Sequence, residues 1–324
     1  MSAKFTLYDG PDLTFGMPGR SVAALNLSGL ATDVWLYKLG TLWQRYRVLP
    51  VEQEWDEDGD DVVNLPCVGY KRVVTARHIV GAPPMYSGID QGALIWDLIE
   101  RTQALPGGDL GITAGTILTG VPRDRNEYLD GDKYEKLIGN LEAAINGPTW
   151  DIGPDLVLTV RQPDAYPVRT QPAVHGANVR SLKRSPGVGF ANVSGAIGSA
   201  EQTTVEWRED PSVATDPRGR WEMFDATHGS ATDQDTVAEY AEGNLADALN
   251  PPAAWTMVLE PARFFGGDSD YNAGDFVRVV VPRNVVDPLV EPRVDVTVQL
   301  SEISVSFDGD GGTEVTATGV EVEP

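Results

Sequence analysis

Forty-eight acidic side chains and eight tryptophans are the residues of this 324-residue chain with the most chemical potential. Two opposed carboxyl groups flanked by aromatic rings could cleave a glycosidic bond, one protonating the leaving oxygen while the other attacks or activates water. Trp43, Trp55, Trp96, Trp150, Trp207 and Trp255 all fall within strand or helix patterns, where core packing accounts for them. Scattered acids mostly solvate a surface. A carbohydrate-active enzyme or sugar-binding module is therefore the rival reading from another class. The acidic run Asp56-Glu57-Asp58-Gly59-Asp60-Asp61 could bind calcium, but an EF-hand loop counted from Asp56 needs Gly at its sixth position and Glu at its twelfth. Asp61 and Cys67 stand there, so the run reads as a solvated turn, as does Asp308-Gly309-Asp310.

The remaining chemistry-bearing residues lack the required spacings. His78, His175 and His228 form no H-x-x-x-H or H-E-x-x-H pattern, and one cysteine makes no zinc constellation. There is no G-x-S-x-G elbow and no Walker loop, and Gly187, Gly189, Gly195 and Gly198 do not make a dinucleotide fingerprint. Cys67 lies inside an apolar strand and reads as a buried, inert thiol. No catalytic, cofactor-binding or metal-ligating residue is expected, and no cofactor.

Twenty-five basic residues against 48 acidic give a net charge of −23. Such a surface repels phosphate and disfavours sequence-specific nucleic-acid binding, although a duplex could slide past it without sticking. No run of about 18 apolar residues occurs, so no membrane insertion is expected, and Met1 to Thr6 lack an apolar signal core, so export through a cleaved signal is not expected.

The elements that would position any site are mostly strands. Leu42, Gln44, Tyr46 and Val48 alternate with Trp43, Arg45, Arg47 and Leu49, the period-two signature of a strand, and Val62 to Tyr70 return beyond the acidic tip. Lys71 to Val80 reads as extended or turn-rich, and Gly81-Ala82-Pro83-Pro84 marks a boundary. Leu94, Ile95, Leu98, Ile99 and Thr102 then form a helical stripe between Asp90, an N-cap, and Pro106-Gly107-Gly108. A second helix is expected from Lys133 to Asn146, with Asp132 and Glu135 as a capping box, and a third from Asp233 to Leu249. Strands are expected at Leu156–Val160, Val174–Val179, Phe190–Ile197, Thr203–Arg208, Gly219–Phe224, Trp255–Leu259, Phe276–Val281, Val294–Leu300, Ile303–Phe307 and Val315–Val322. The fold class is mainly β with a small α+β insert. The expected domains are a first β domain (1–82), a two-helix α+β domain (83–165), strands plus a connecting helix (166–262) and a C-terminal β domain (263–324).

The order of these elements carries a resemblance. Leu65-Pro66-Cys67-Val68-Gly69-Tyr70-Lys71-Arg72-Val73-Val74-Thr75-Ala76-Arg77 closes the first β run. Ile95-Trp96-Asp97-Leu98-Ile99, Tyr134-Glu135-Lys136-Leu137-Ile138 and Gly147-Pro148-Thr149-Trp150-Asp151-Ile152 make the insert, and Gly274-Asp275-Phe276-Val277-Arg278-Val279 follows a helix leading to Pro251. From about residue 30 to 320 the chain resembles minor tail proteins of long-tailed (siphovirus-type) phages of high-GC Gram-positive bacteria. More broadly, it is similar to tail-tip baseplate-hub proteins. The resemblance implies two β-barrel-like hub domains plus peripheral α+β domains, and a homotrimeric ring with pseudo-sixfold symmetry that continues the tail tube. It implies partners among other tail proteins: a distal-tail or tube protein, the tape measure, and receptor-binding or fibre proteins. It further implies a virion location at the tail tip after synthesis in the host cytoplasm, with DNA passing through the lumen and no catalytic residues to carry over. A sixfold distal-tail ring is the rival within the class.

Overall fold

The computed structural model describes every residue except 19–20, 23–26, 28, 56–60, 83, 126–128, 145, 188, 199–203, 227–233, 266–270, 283–293, 308–311 and 323–324. In chain order the first elements are β1 (Ser2–Thr6), β2 (Asp12–Pro18), β3 (Asp33–Lys38), β4 (Thr41–Val48), β5 (Glu52–Trp55), β6 (Asp61–Gly69) and α1 (Tyr70–Thr75). Next come β7 (Tyr86–Asp90), α2 (Gln91–Gln103), β8 (Thr113–Ala114), β9 (Pro122–Arg125), α3 (Tyr134–Glu142), β10 (Thr149–Ile152) and β11 (Val157–Arg161). They are followed by β12 (Ala173–Val174), β13 (Val179–Ser185), β14 (Val193–Gly198), β15 (Thr204–Glu209), β16 (Glu222–Asp225) and α4 (Gln234–Leu249). The last are β17 (Ala254–Leu259), α5 (Pro261–Phe265), β18 (Phe276–Val281), β19 (Val294–Phe307) and β20 (Thr313–Val322). The fold is mainly β, as the turn-rich composition requires.

The chain divides into two compact units, Met1–Leu182 with Thr256–Gly319, and Lys183–Trp255 with Val320–Val322. The main sheet has 12 strands, in the order β13-β17-β20-β19-β1-β2-β6-β4-β3, with β18 also on β19, β12 on β18 and β5 on β6. The N-terminal β1 pairs antiparallel with β19, Ser2 opposite Ser306 and Thr6 opposite Glu302, so the first and last β runs share one sheet. β19 is one 14-residue strand where two were expected. Its first half pairs with β18 and its second half with β1. Val298 and Leu300 are buried in one half, Ile303 and Val305 in the other. The buried face thus switches phase at Ser301–Glu302, where the neighbour changes. In sequence that phase switch looks like a break.

In β4 the expected alternation holds: Tyr46 and Val48 are fully buried and Gln44 nearly so, beside Leu13, Val63, Leu65 and Cys67. A hairpin joins β3 to β4 through Leu39 (φ 50°) and Gly40 (φ 82°), two consecutive left-handed residues that match the twist of the strands.

The region expected to be extended after Gly69 is instead the helix α1. Tyr70, Lys71 and Val74 are buried at helical spacing, and Tyr70 and Val74 join the core of the α+β region. That core is built on α2, where Leu94, Ile95, Leu98 and Ile99 are completely buried. Four such side chains contribute about 6–12 kcal/mol gross, which holds a helix too short to persist alone. Asp90 caps it as expected, Oδ1 accepting from the Gly92 N–H at 2.8 Å, while its Oδ2 accepts from the Gly120 N–H at 2.6 Å. Gly92 is required by packing, since a Cβ there would lie 1.7 Å from the Ile117 carbonyl oxygen. The second helix is shorter than expected and lacks its capping box: Lys133 is the N-cap, and the Asp132 carboxylate accepts from the Leu129 N–H at 2.9 Å instead.

Lys71 pins this region together. Its Nζ donates to Glu142 Oε1 and to the Trp150 carbonyl, both at 3.0 Å, and lies 4.7 Å from the Trp150 ring centre. Burial pushes the Lys71 pKa down and the Glu142 pKa up, against their mutual attraction.

The smaller unit has a three-stranded sheet, β15-β14-β16, antiparallel on one side of β14 and parallel on the other. One face packs on α4 through Ala196, Val237 and Ala241. Buried Asn192 clamps the loop that leads into β16, donating to the Gly219 carbonyl and accepting from the Trp221 N–H, both at 2.8 Å.

Candidate functional site

The most distinctive surface is the end of the main sheet. Among the described residues, β3 has β4 as its ladder partner on one side and none on the other. Val34 and Leu36 point to the core, whereas Trp35 and Tyr37 are 51% and 54% exposed and Leu39 extends the same face. An edge strand carrying outward aromatic rings is ready to pair with another chain; it has no proline, and its charges, Asp33 and Lys38, stand at its two ends.

A charge network fixes this edge at its start. Asp33, the first residue of β3, accepts from Arg45 Nε at 2.8 Å, Arg47 Nε at 2.7 Å and the Tyr70 hydroxyl at 2.8 Å. Arg47 also donates to the Tyr70 oxygen at 2.7 Å and the Leu30 carbonyl at 2.9 Å. The Arg45 guanidinium stacks between Trp35 and Tyr70, 5.5 and 5.4 Å from their ring centres. Burial would raise the Asp33 pKa, but the bonds from Tyr70, Arg47 and Arg45 hold it below the ordinary carboxylate value. Nothing in the sequence flagged Asp33. Arg45 and Arg47 on one face of an expected strand were the available signal.

The main sheet and its neighbours also enclose a cavity of about 390 Å³, lined by Trp43, Tyr166, Arg161 and Arg169 and by the carboxyls of Asp151 and Asp275. This is where two-acid chemistry would have to reside. Asp275 is committed, accepting from Arg169 Nε and the Asn272 N–H, both at 2.6 Å. Asp151, the exposed residue of β10, is the other lining carboxyl. The cavity therefore does not present two available acids.

In the smaller unit, the sheet face away from α4 carries Trp207 and Phe224, both about half exposed, with ring centres 5.5 Å apart. They close over Gly195, where a Cβ would lie 2.7 Å from Phe224 and 2.8 Å from Trp207. Trp207 was expected in the core. It is exposed because its face of β15 is the one α4 does not cover. Trp150 and Trp255 are buried as expected.

The other candidates stay apart. The Cys67 thiol is buried, and desolvation pushes its pKa up to about 12. His78 bridges Lys133 and His175 lies beside Val179 in isolated β-bridges, while His228 lies outside the described residues. So do Asp56–Asp60 of the first acidic run and Asp308–Asp310 of the second. Among the described residues no group of three or more His, Cys, Asp or Glu side chains could hold a metal ion. No described helix is long and apolar enough to cross a membrane.

No family model matches the sequence. No curated protein matches it. Solved structures do. A tail protein from Neisseria meningitidis MC58 superposes with a TM-score of 0.64 at 12% identity, covering 99% of this chain and 91% of that one. The 43 kDa tail protein of prophage MuSo2 from Shewanella oneidensis gives 0.66 at 12% identity over 100% and 92% of the two chains. An E. coli type VI secretion component, c3393, described as structurally similar to the T4 tail proteins gp27 and gp5, gives 0.53 at 10% identity over 99% and 73%. The chain thus has the fold of phage tail and hub-type proteins along nearly its whole length.

Proposed function

We propose that the chain is a structural virion protein of a long-tailed phage, a subunit of a tail-tip hub ring that continues the tail tube. The observation that carries this reading is the whole-length likeness in fold to two tail proteins, at TM-scores of 0.64 and 0.66. The open β3 edge supports it, because ring closure needs a surface on each subunit that another copy completes. In this reading three copies form the ring, and the hub meets a distal-tail or tube protein, the tape measure and receptor-binding or fibre proteins. The proposed division at 1–82, 83–165, 166–262 and 263–324 puts the two-helix domain outside the ring. Part of the −23 charge faces the lumen, where carboxylates keep the passing duplex from adhering. The role is scaffolding and conduction, with no catalytic step.

The test is to charge the open edge. Trp35→Glu and Tyr37→Lys alter two half-exposed side chains, so the monomer should keep its circular dichroism, with a small melting shift from the lost Trp35–Arg45 stacking. Ring formation should be abolished. Rings that form unchanged with both substitutions present would remove β3 from the interface, and the absence of rings from the unsubstituted chain would count against the ring reading itself.

A further inference from the structure

A second groove, of about 500 Å³, opens beside α1 and combines an apolar floor that includes Leu30, Leu49 and Val73 with Arg47, Arg72 and Arg77. Its one acidic lining residue is Asp109. Three guanidiniums line the groove, and two of them, Arg47 and Arg72, also meet carboxylates outside the lining, Asp33 and Asp12.

The three arginines are not equivalent. Arg47 is consumed by Asp33, Tyr70 and Leu30. Arg77 uses Nη1 to reach only neutral acceptors, the Thr102 hydroxyl at 3.1 Å and the Gly108 carbonyl at 2.6 Å. Burial and the nearby Arg47 charge hold its pKa below the ordinary arginine value. It is a half-buried cation with no carboxylate bonded to it among the described residues. Arg72, 57% exposed, reaches Asp12 at the long distance of 3.4 Å. A desolvated guanidinium gains most from an ionised partner that offers two oxygens, and the apolar floor gains from aliphatic cover.

We propose that this groove docks an acidic, aliphatic peptide segment of a partner protein. Its carboxylates would meet Arg77 and Arg72 while its aliphatic side chains cover Leu30 and Val73. Complementarity selects this occupant: Arg77 and Arg72 suit carboxylates, and the apolar floor suits aliphatic side chains, which a nucleic-acid backbone does not offer. The proposal does not depend on the ring reading, since a monomer presents the same groove.

Fluorescence anisotropy on the full chain tests it, using a fluorescein-labelled octapeptide of alternating Glu and Leu at about 50 mM salt. Saturable binding is expected, weakened about tenfold by Arg72→Glu and about tenfold when Ser replaces Leu in the peptide. An alternating Lys–Leu peptide should not displace the Glu–Leu probe from the groove. Arg72 is solvent-exposed, so Arg72→Glu should melt with the parent, which keeps the test valid should Arg77→Gln disturb the Thr102 and Gly108 contacts. Absence of saturable binding, equal affinity in Arg72→Glu, or displacement by an oligothymidine would overturn the proposal. Self-association lost in Arg72→Glu without peptide binding would overturn it too, in favour of a second copy as the occupant.

Discussion

In an Asp33→Asn variant, Arg45 and Arg47 lose the carboxylate they share, and the Tyr70 hydroxyl loses an ionised acceptor. Hydrogen bonds to charged groups contribute about 1.5–3 kcal/mol each, and stranding one member of a buried ion pair costs about 3–5 kcal/mol. Here the two arginine side chains remain 25% and 21% exposed and regain some hydration. The cost is therefore placed at about 2–3 kcal/mol, or about 3–4 °C in Tm for a chain of this size. Thermal unfolding followed by circular dichroism reads it directly. The pH dependence has a definite sign. The folded-state pKa of Asp33 lies below the ordinary 3.8, so the stabilisation is complete above that value and is lost as pH falls through the folded one. The gap between parent and variant should stay constant from about pH 5 to 8 and close below about pH 4. A variant that melts within about 1 °C of the parent would show that the network does not hold the edge. So would a gap that persists unchanged in acid.

Other consequences follow from the interior. Glu142→Gln leaves Lys71 buried without its counter-charge and should cost about 3–5 kcal/mol in urea unfolding, whereas Lys71→Met with Glu142→Gln should recover much of that loss. If the double variant is as unstable as the single one, the pairing argument fails. Gly195→Ala should part the Trp207–Phe224 pair and cost about 1–3 kcal/mol, visible as a weakened near-ultraviolet aromatic signal. Cys67 should resist iodoacetamide at neutral pH until the protein unfolds, since its thiol is buried with a pKa of about 12. Rapid labelling of the native chain would contradict that.

The sequence made legible whatever depends on neighbours along the chain. The Gln44, Tyr46 and Val48 alternation, the Leu94 to Ile99 stripe with its Asp90 cap, and the helix ending before Pro251 all appear nearly where expected. What it concealed depends on distant partners. Tyr70–Thr75 is helical because its buried face meets residues from the α+β region, a reward that no local pattern displays. β19 reads as two strands because its inward face inverts when β1 replaces β18 beside it. Asp132 turned from the helix it was expected to cap to the Leu129 N–H, a local competition between equivalent donors. The open edge was hidden for a similar reason. Whether an alternating strand lies inside a sheet or at its border is decided by the other strands, and Trp35 and Tyr37 gain their meaning from that position.

The measurement that bears most directly on the central claim is the mass of the full chain in solution, paired with negative-stain images of the same sample. The account predicts a ring with a central hole and a mass of about 105 kDa, three times the 35.0 kDa chain. A ring of six would transfer the assignment to a distal-tail protein. A particle that stays at the mass of one chain, with β3 exchanging its amide hydrogens freely at every concentration, would contradict the ring outright.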